Sequence, residues 1–347
     1  MMASSVAASP ARASAKLAAM GGNLFKLGRK PRAEYLEIEA EVRSFLDELI
    51  GVQGYRIPRY YGDKPDFGDL DVVVSSAALE AIGGFEAFTR AIAEGLEVSQ
   101  TKNVGHVYST AYRNFQVDYF TRPAEQLEST YNYLSFNDIG NLIGKIYRRL
   151  GFKYGEDGLS YVYRRSAQES YRRDIPVSRD WPRILALIEL DVAVWQAGFD
   201  SLEHMFGWVV ASPYFSVAPY RELSRSTEKR AKQRRTMARF LDWVEREQIE
   251  QLHEYERDRS AYVPWVAEAF PEAELEAALA RERALEAEDE RLRLKFSGGL
   301  VREWLGLEGK QLGRFLRAFK RAHPREQLLA MDPEAIEAAV RSVEPEP

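Results

Sequence analysis

The chain of 347 residues contains no cysteine. That excludes disulfides, thiolate zinc sites and cysteine nucleophiles, and it fits a reducing interior. There are only four histidines, widely scattered, so a histidine metal cluster is not expected. No apolar run reaches the length of a membrane span, so no membrane partner is expected. Acids are missing ahead of Glu34. Residues 1–19, rich in Ala and Ser with Arg and Lys among them, read as a disordered leader. Their composition also suits an organellar transit peptide, and a start at Met20 is a third reading.

What is present is the composition of a globular protein, 45% hydrophobic and 29% charged. The length predicts two domains and is ample for a core. The net charge of −5 is unevenly spread. Residues 145–173 carry eight Lys or Arg against three acids, and residues 221–239 carry eight against two. Acids gather in 245–290. Basic blocks within an acidic chain point to a polyanion-facing surface, whereas either block alone fits a solvated helix face.

The densest chemistry lies in Gly62-Asp-Lys-Pro-Asp-Phe-Gly-Asp-Leu-Asp-Val-Val-Val74, answered by Gln116-Val-Asp-Tyr-Phe120. Residues two apart on a strand share a face. Asp69 and Asp71 therefore point one way while Leu70 and Val72 point into a core. Asp118, in a second apolar run, brings a third carboxylate. Three such groups repel unless a divalent cation joins them. Oxygen-only clusters suit Mg²⁺ or Mn²⁺, and two such ions are the equipment of nucleotidyl transfer. A strand entry with two solvated acids is the alternative for Asp-x-Asp taken by itself.

These residues resemble the pattern of the DNA polymerase β-like nucleotidyltransferases: an apolar residue, Gly-Gly or Gly-Ser, a short gap, Asp-x-Asp, and a third Asp on a later strand. The matching positions are Tyr61-Gly62-Asp63, Asp69, Asp71 and Asp118. Asp63 departs from the small residue of that pattern and is a poor neighbour for a triphosphate. The resemblance implies that Gly62 and Gly68 let backbone amides approach the nucleotide phosphates. Met20-Gly-Gly-Asn-Leu-Phe-Lys26, residues 134–163 and the basic helix at 229–241 resemble a set of phage and large-virus nucleotidyltransferases. In related enzymes the helix after the third Asp grips the triphosphate, which implies Lys145 and Arg149, with Lys153 in the next turn. The resemblance also implies a cytoplasmic setting, in a bacterium or a phage-infected host, or organellar import if residues 1–19 are a transit peptide.

Apolar spacing predicts a helix over Glu34–Leu49 and strands over Tyr55–Tyr61, Leu70–Val74, Leu96–Gln100, His106–Tyr112 and Phe115–Phe120. A helix pair broken at Gly83-Gly84 falls between the second and third. Beyond Arg122 the pattern turns helical: Asn137–Leu150, Trp181–Trp195, Leu202–Val210, Thr227–Gln248 and Pro271–Arg293, with no sheet expected. The fold class read from this order is α+β, a small mixed-sheet palm followed by an all-helical domain. The expected domains are the leader 1–19, a catalytic palm at 20–125 and a helical domain at 126–345. Within the last, 295–320 reads as helix, Gly-containing hairpin, helix. That stretch is similar to the tail of bacterial CCA-adding enzymes and poly(A) polymerases and to a helix-hairpin-helix element, in which Lys310 and Arg314 would meet a nucleic-acid phosphate.

The expected function is template-independent, metal-dependent transfer of a nucleotide from an NTP to a nucleic-acid 3′ end, RNA in the first place. Asp69, Asp71 and Asp118 would hold two Mg²⁺ or Mn²⁺ ions. Arg230, Arg234 and Arg235, with Lys310 and Arg314, would hold the acceptor. The rival readings are a nucleotidyltransferase that modifies a protein or small molecule, and a non-catalytic nucleic-acid-binding protein. Oligomeric state is not legible.

Overall fold

The computed structural model describes residues 24–165, 168–221, 235–250 and 253–343. The fold is mixed α+β, a five-stranded sheet followed by a largely helical remainder. It divides into two compact units. The first comprises residues up to Val162 together with Asp174–Ala273, the second Tyr163–Arg173 together with the residues from Glu274. The described residues begin at Leu24, so the expected leader at residues 1–19 lies outside them, as do Arg230 and Arg234.

In the first unit a short strand β1 (Lys30–Pro31) leads into helix α1 (Arg32–Ile50), whose Tyr35, Ile38, Val42 and Leu46 are buried. These recur at helical spacing, so one face of α1 packs on the sheet. Strands β2 (Tyr55–Arg56), β3 (Asp66–Phe67) and β4 (Asp69–Ser75) follow. The predicted strand over Tyr55–Tyr61 shrinks to Tyr55–Arg56 because Pro58 cannot donate to a ladder. Helices α2 (Ser76–Ala81) and α3 (Phe85–Gly95) flank the expected break, where Gly83 and Gly84 both take positive φ. Leu96 closes α3 rather than opening a strand; β5 (Gln100–Val104) starts later and is polar, as befits a sheet edge. Strands β6 (Val107–Tyr112) and β7 (Phe115–Arg122) complete a sheet of order β2-β4-β7-β6-β5. Only β4 and β7 in it run parallel. Leu70, Val72, Val74, Val117 and Tyr119 point from these two strands into one core with α1 and α3.

Helices α4 (Leu127–Leu134) and α5 (Ile139–Arg149) come next. A three-stranded antiparallel sheet of β8 (Phe152–Gly155), β9 (Gly158–Arg165) and β10 (Gln168–Ser178) then appears where only helix was expected. Its cause was in the sequence: Phe152 and Tyr154 alternate with polar residues, and Gly158, at φ +86°, makes the tight turn. The predicted helix over Trp181–Trp195 is two, α6 (Trp181–Leu187) and α7 (Val192–Ala197). Asp191 starts the second by accepting from Ala193 N–H at 2.8 Å. Helix α8 (Leu202–Val210) is capped by Ser201, whose Oγ accepts from His204 N–H at 3.1 Å. The short α9 (Ala218–Arg221), α10 (Arg235–Arg246) and α11 (Val263–Ala269) end this unit.

The second unit contains the long α12 (Leu275–Lys295), the hairpin α13 (Gly298–Leu305) and α14 (Gly309–Ala322), then α15 (Arg325–Ala330) and α16 (Pro333–Ser342). Ser297 caps α13, and Gly306 ends it in the left-handed conformation at φ +67°. Val301, Leu312, Phe315, Phe319, Ile336 and Val340 form its core.

Candidate functional site

Parallel pairing of β4 with β7 sets Asp71 directly beside Asp118, and Asp69 beside Gln116. Asp69 and Asp71 share a face because they are two apart. The three carboxylates thereby converge, each offering an oxygen within 4.8 Å of the others'. Asp118 is 1% exposed. Its Oδ2 accepts from Gln116 Nε2 at 2.9 Å, and its Oδ1 is buried with no hydrogen-bond partner. Burial first, then the Asp69 charge, push the Asp118 carboxyl up to about 7, against the pull of Ser109 and Gln116. Burial, then Asp69 and Asp118, push the Asp71 carboxyl well above its ordinary range. A buried polar atom without a partner is rare and asks for an explanation. An all-oxygen donor set with one open, desolvated oxygen fits a hard divalent cation, which would relieve both the repulsion and the orphaned atom.

Lys64 enters the site without having been expected there. Its Nζ donates to Asn137 Oδ1 at 2.8 Å and lies 4.1 Å from the centre of the Phe67 ring. Burial pulls it down to about 8, and Asp69 and Asp71 act against that. Its partner is held at a strained turn: Phe136 and Asn137 both take left-handed φ, +57° and +60°. That conformation is tolerable for Asn but costly for Phe. Packing over-determines it, since the buried Phe136 ring meets Trp195 and Phe199 edge-on and carries the Arg59 guanidinium on its face. The signal for Lys64 was its place between Gly62 and Asp69. Its partner lies 73 residues on, which no local pattern reveals.

Gly62 is also needed for close packing of backbone on backbone. Its N–H donates to Phe199 C=O at 2.7 Å, and Asp63 N–H donates to Asp200 C=O at 2.8 Å. A Cβ on Gly62 would stand 2.9 Å from the Asp200 oxygen. The backbone that approaches Gly62 is thus the α7–α8 connection. Gly68 is crowded by Arg29, whose guanidinium nitrogen lies 2.7 Å from the Cβ position. Lys145 Nζ donates to Pro219 C=O at 2.9 Å and sits near the Tyr220 ring. Arg149, in the last turn of the same helix, exerts its charge on Tyr255. Lys153, on β8, pairs with Asp174 at 2.8 Å. Arg235 is exposed at the start of α10.

In the second unit Lys310 and Arg314 are exposed on α14. Arg317 and Arg321 continue the same face at helical spacing and are exposed too. No acid interrupts Gly309–Ala322.

Among solved structures, the chain is similar to the crystal structure of Leishmania infantum polymerase beta in a ternary gap complex, with 16% sequence identity and a TM-score of 0.32. The match covers 40% of this chain and 52% of that one, so the chain spans about half the length of that polymerase. No family model matches the sequence, and no curated protein matches it.

Proposed function

We propose that the protein is a divalent-metal-dependent nucleotidyltransferase that transfers a nucleotide from an NTP to a nucleic-acid 3′ end, RNA in the first place. The observation that carries this reading is the convergence of Asp69, Asp71 and Asp118, where Asp118 Oδ1 is buried without a hydrogen-bond partner. Asp69 and Asp71 would hold the ion at the nucleotide phosphates, and Asp118 would join them on a second. When bound, such ions neutralise phosphate charge and activate the attacking hydroxyl.

The protein's own residues supply the rest. The acceptor hydroxyl oxygen attacks the α-phosphorus, the new O–P bond forms, and the α–β anhydride bond breaks with pyrophosphate leaving. Asp118 would help to take the hydroxyl proton. Lys64 sets a cation beside Asp69 and Asp71, where a triphosphate adds negative charge. Held by Asn137, it meets the phosphates with little reorganisation. Charge neutralisation and positioning, rather than covalent chemistry, are what phosphoryl transfer demands.

For the acceptor, the basic face of Lys310, Arg314, Arg317 and Arg321 supports a phosphodiester chain. Arg230, Arg234 and Arg235 remain proposed partners in that role. Residues 20–125 would then be the catalytic palm, and 126–345 the part that holds nucleotide and acceptor. The test is incubation with each labelled NTP, Mg²⁺ and pooled RNA, DNA or protein, for the natural chain and Asp69→Ala. Label is expected on RNA with the natural chain and on nothing with the variant. Label on protein alone selects the protein-modifying class instead, and undiminished transfer by Asp69→Ala removes the cluster from the chemistry.

A further inference from the structure

The Leu24-Phe25-Lys26 run has no part in the transfer just described, yet it reaches the carboxylate cluster. Leu24 N–H donates to Gln116 Oε1 at 3.0 Å, and Gln116 Nε2 donates to Asp118 Oδ2 at 2.9 Å. Gln116 is fully buried. From Leu24 the chain runs as a short strap to β1, where Lys30 pairs with Phe67 and Pro31 with Asp66. On the way Arg29 is fixed to Asp66, its Nε on Oδ1 at 2.7 Å, and packs against Gly68. The strap therefore passes the entry to β4 and ends at the entry to β7, where Gln116 is the register partner of Asp69.

A side-chain amide has two unlike ends, an oxygen that only accepts and an NH₂ that only donates. A backbone N–H can only donate. Leu24 thus fixes Gln116 with its oxygen toward the strap and its NH₂ toward Asp118. Turned the other way, the amide would set its oxygen against a carboxylate and leave a buried donor against a donor. With Oδ2 held by Gln116, the remaining Asp118 oxygen, Oδ1, is buried without a hydrogen-bond partner of its own. Outer groups that orient a ligand in this manner are worth a large share of metal affinity.

We infer that Leu24 and Gln116 are positioning residues: the strap's N–H sets the Gln116 amide, and that amide turns Asp118 Oδ1 toward a divalent cation. The inference rests on the metal-dependent reading proposed above. It makes the strap a working part of the site rather than a tether.

The test is Mn²⁺ titration of the full chain without nucleotide, free Mn²⁺ being read by electron paramagnetic resonance. The proteins are the natural chain, Asp118→Ala, Leu24→Ala, Leu24→Pro, Gln116→Leu and the Leu24→Pro, Gln116→Leu double variant. Leu24→Ala keeps the N–H and should bind as the natural chain does. Leu24→Pro removes that donor and also fixes the local backbone; it and Gln116→Leu should each weaken binding by roughly tenfold or more. In the double variant the Pro substitution should add nothing, because both act through one amide. Natural affinity in Gln116→Leu overturns the inference, and so does a Leu24→Pro loss that persists undiminished in the Gln116→Leu background. If Leu24→Pro fails to fold by circular dichroism, Gln116→Leu alone decides. A natural chain that binds no Mn²⁺, or an Asp118→Ala variant that binds as well as it, overturns the metal-dependent reading and the inference with it.

Discussion

Replacing Asp118 by Asn should stabilise the metal-free protein, and by an amount that depends on pH. The Asp118 carboxyl has an ordinary value of 3.8 and is pushed up to about 7 by burial and by Asp69. Ionising it in the fold therefore costs about 4 kcal/mol more than ionising it in the unfolded chain. Because the folded-state value is raised, the folded state binds the extra proton between these two values. Stability from this group is fully present below pH 4 and is lost as pH rises through about 7. Asn keeps the shape, can still accept from Gln116, and never ionises. At pH 8 the variant should exceed the natural chain by up to about 4 kcal/mol, and at pH 4 by almost nothing. Thermal unfolding in EDTA at both pH values measures the difference. Adding Mn²⁺ at pH 8 should raise the natural chain's Tm and leave the variant's nearly still, since ligand binding to the folded state alone stabilises it. An Asp118→Asn effect of equal size at pH 4 and pH 8 would refute the reasoning, because the repulsion would then not reside on this carboxyl.

Three further outcomes are expected. Lys64→Met should lower kcat/KM for the NTP by about tenfold or more, a charge-assisted phosphate contact being worth roughly 1.5–3 kcal/mol. The natural enzyme should lose kcat/KM as pH rises through about 8, where Lys64 gives up its proton, and a high-pH limb that survives in Lys64→Met would assign it to another group. Gly62→Ala should cost about 1–3 kcal/mol, since its Cβ would stand 2.9 Å from the Asp200 carbonyl oxygen and backbone must shift to admit it; an unchanged Tm would mean the connection yields freely.

The carboxylate cluster was legible because its logic is local. Asp69 and Asp71 alternate with Leu70 and Val72, and period two alone assigns their faces. Asp118 was legible as a lone acid inside a run that must be buried. Lys64 and Gln116 were not, because each owes its role to a partner far along the chain, Asn137 for one and Leu24 for the other. Lys145 has the spacing of an anion-gripping residue, and one of its three donors meets the Pro219 carbonyl, 74 residues away, a contact no local pattern reveals. The β8–β10 sheet was not expected although Phe152, Tyr154, Leu159 and Tyr163 carry a strand period, because the basic block around them also fits a solvated helix face. The strand expected over Leu96–Gln100 lies instead at Gln100–Val104, whose polar residues give little apolar signal because an edge strand has little to bury.

The ladder from Gly62 and Asp63 to Phe199 and Asp200 sets an order of events during synthesis. The loop before Asp69 has its amides, the Arg59 guanidinium and the Lys64 ammonium tied to Phe199, Asp200, Trp195 and Asn137. A nascent chain that has emerged only through β7 has the three aspartates but none of these anchors. The sheet can form early from its own strands, while the loop that shapes the site waits for residues that leave the ribosome much later. Contacts of such long sequence separation are slow to close. The carboxylates would therefore be assembled before the loop beside them is set, and the last step of folding would also be the one that completes the site.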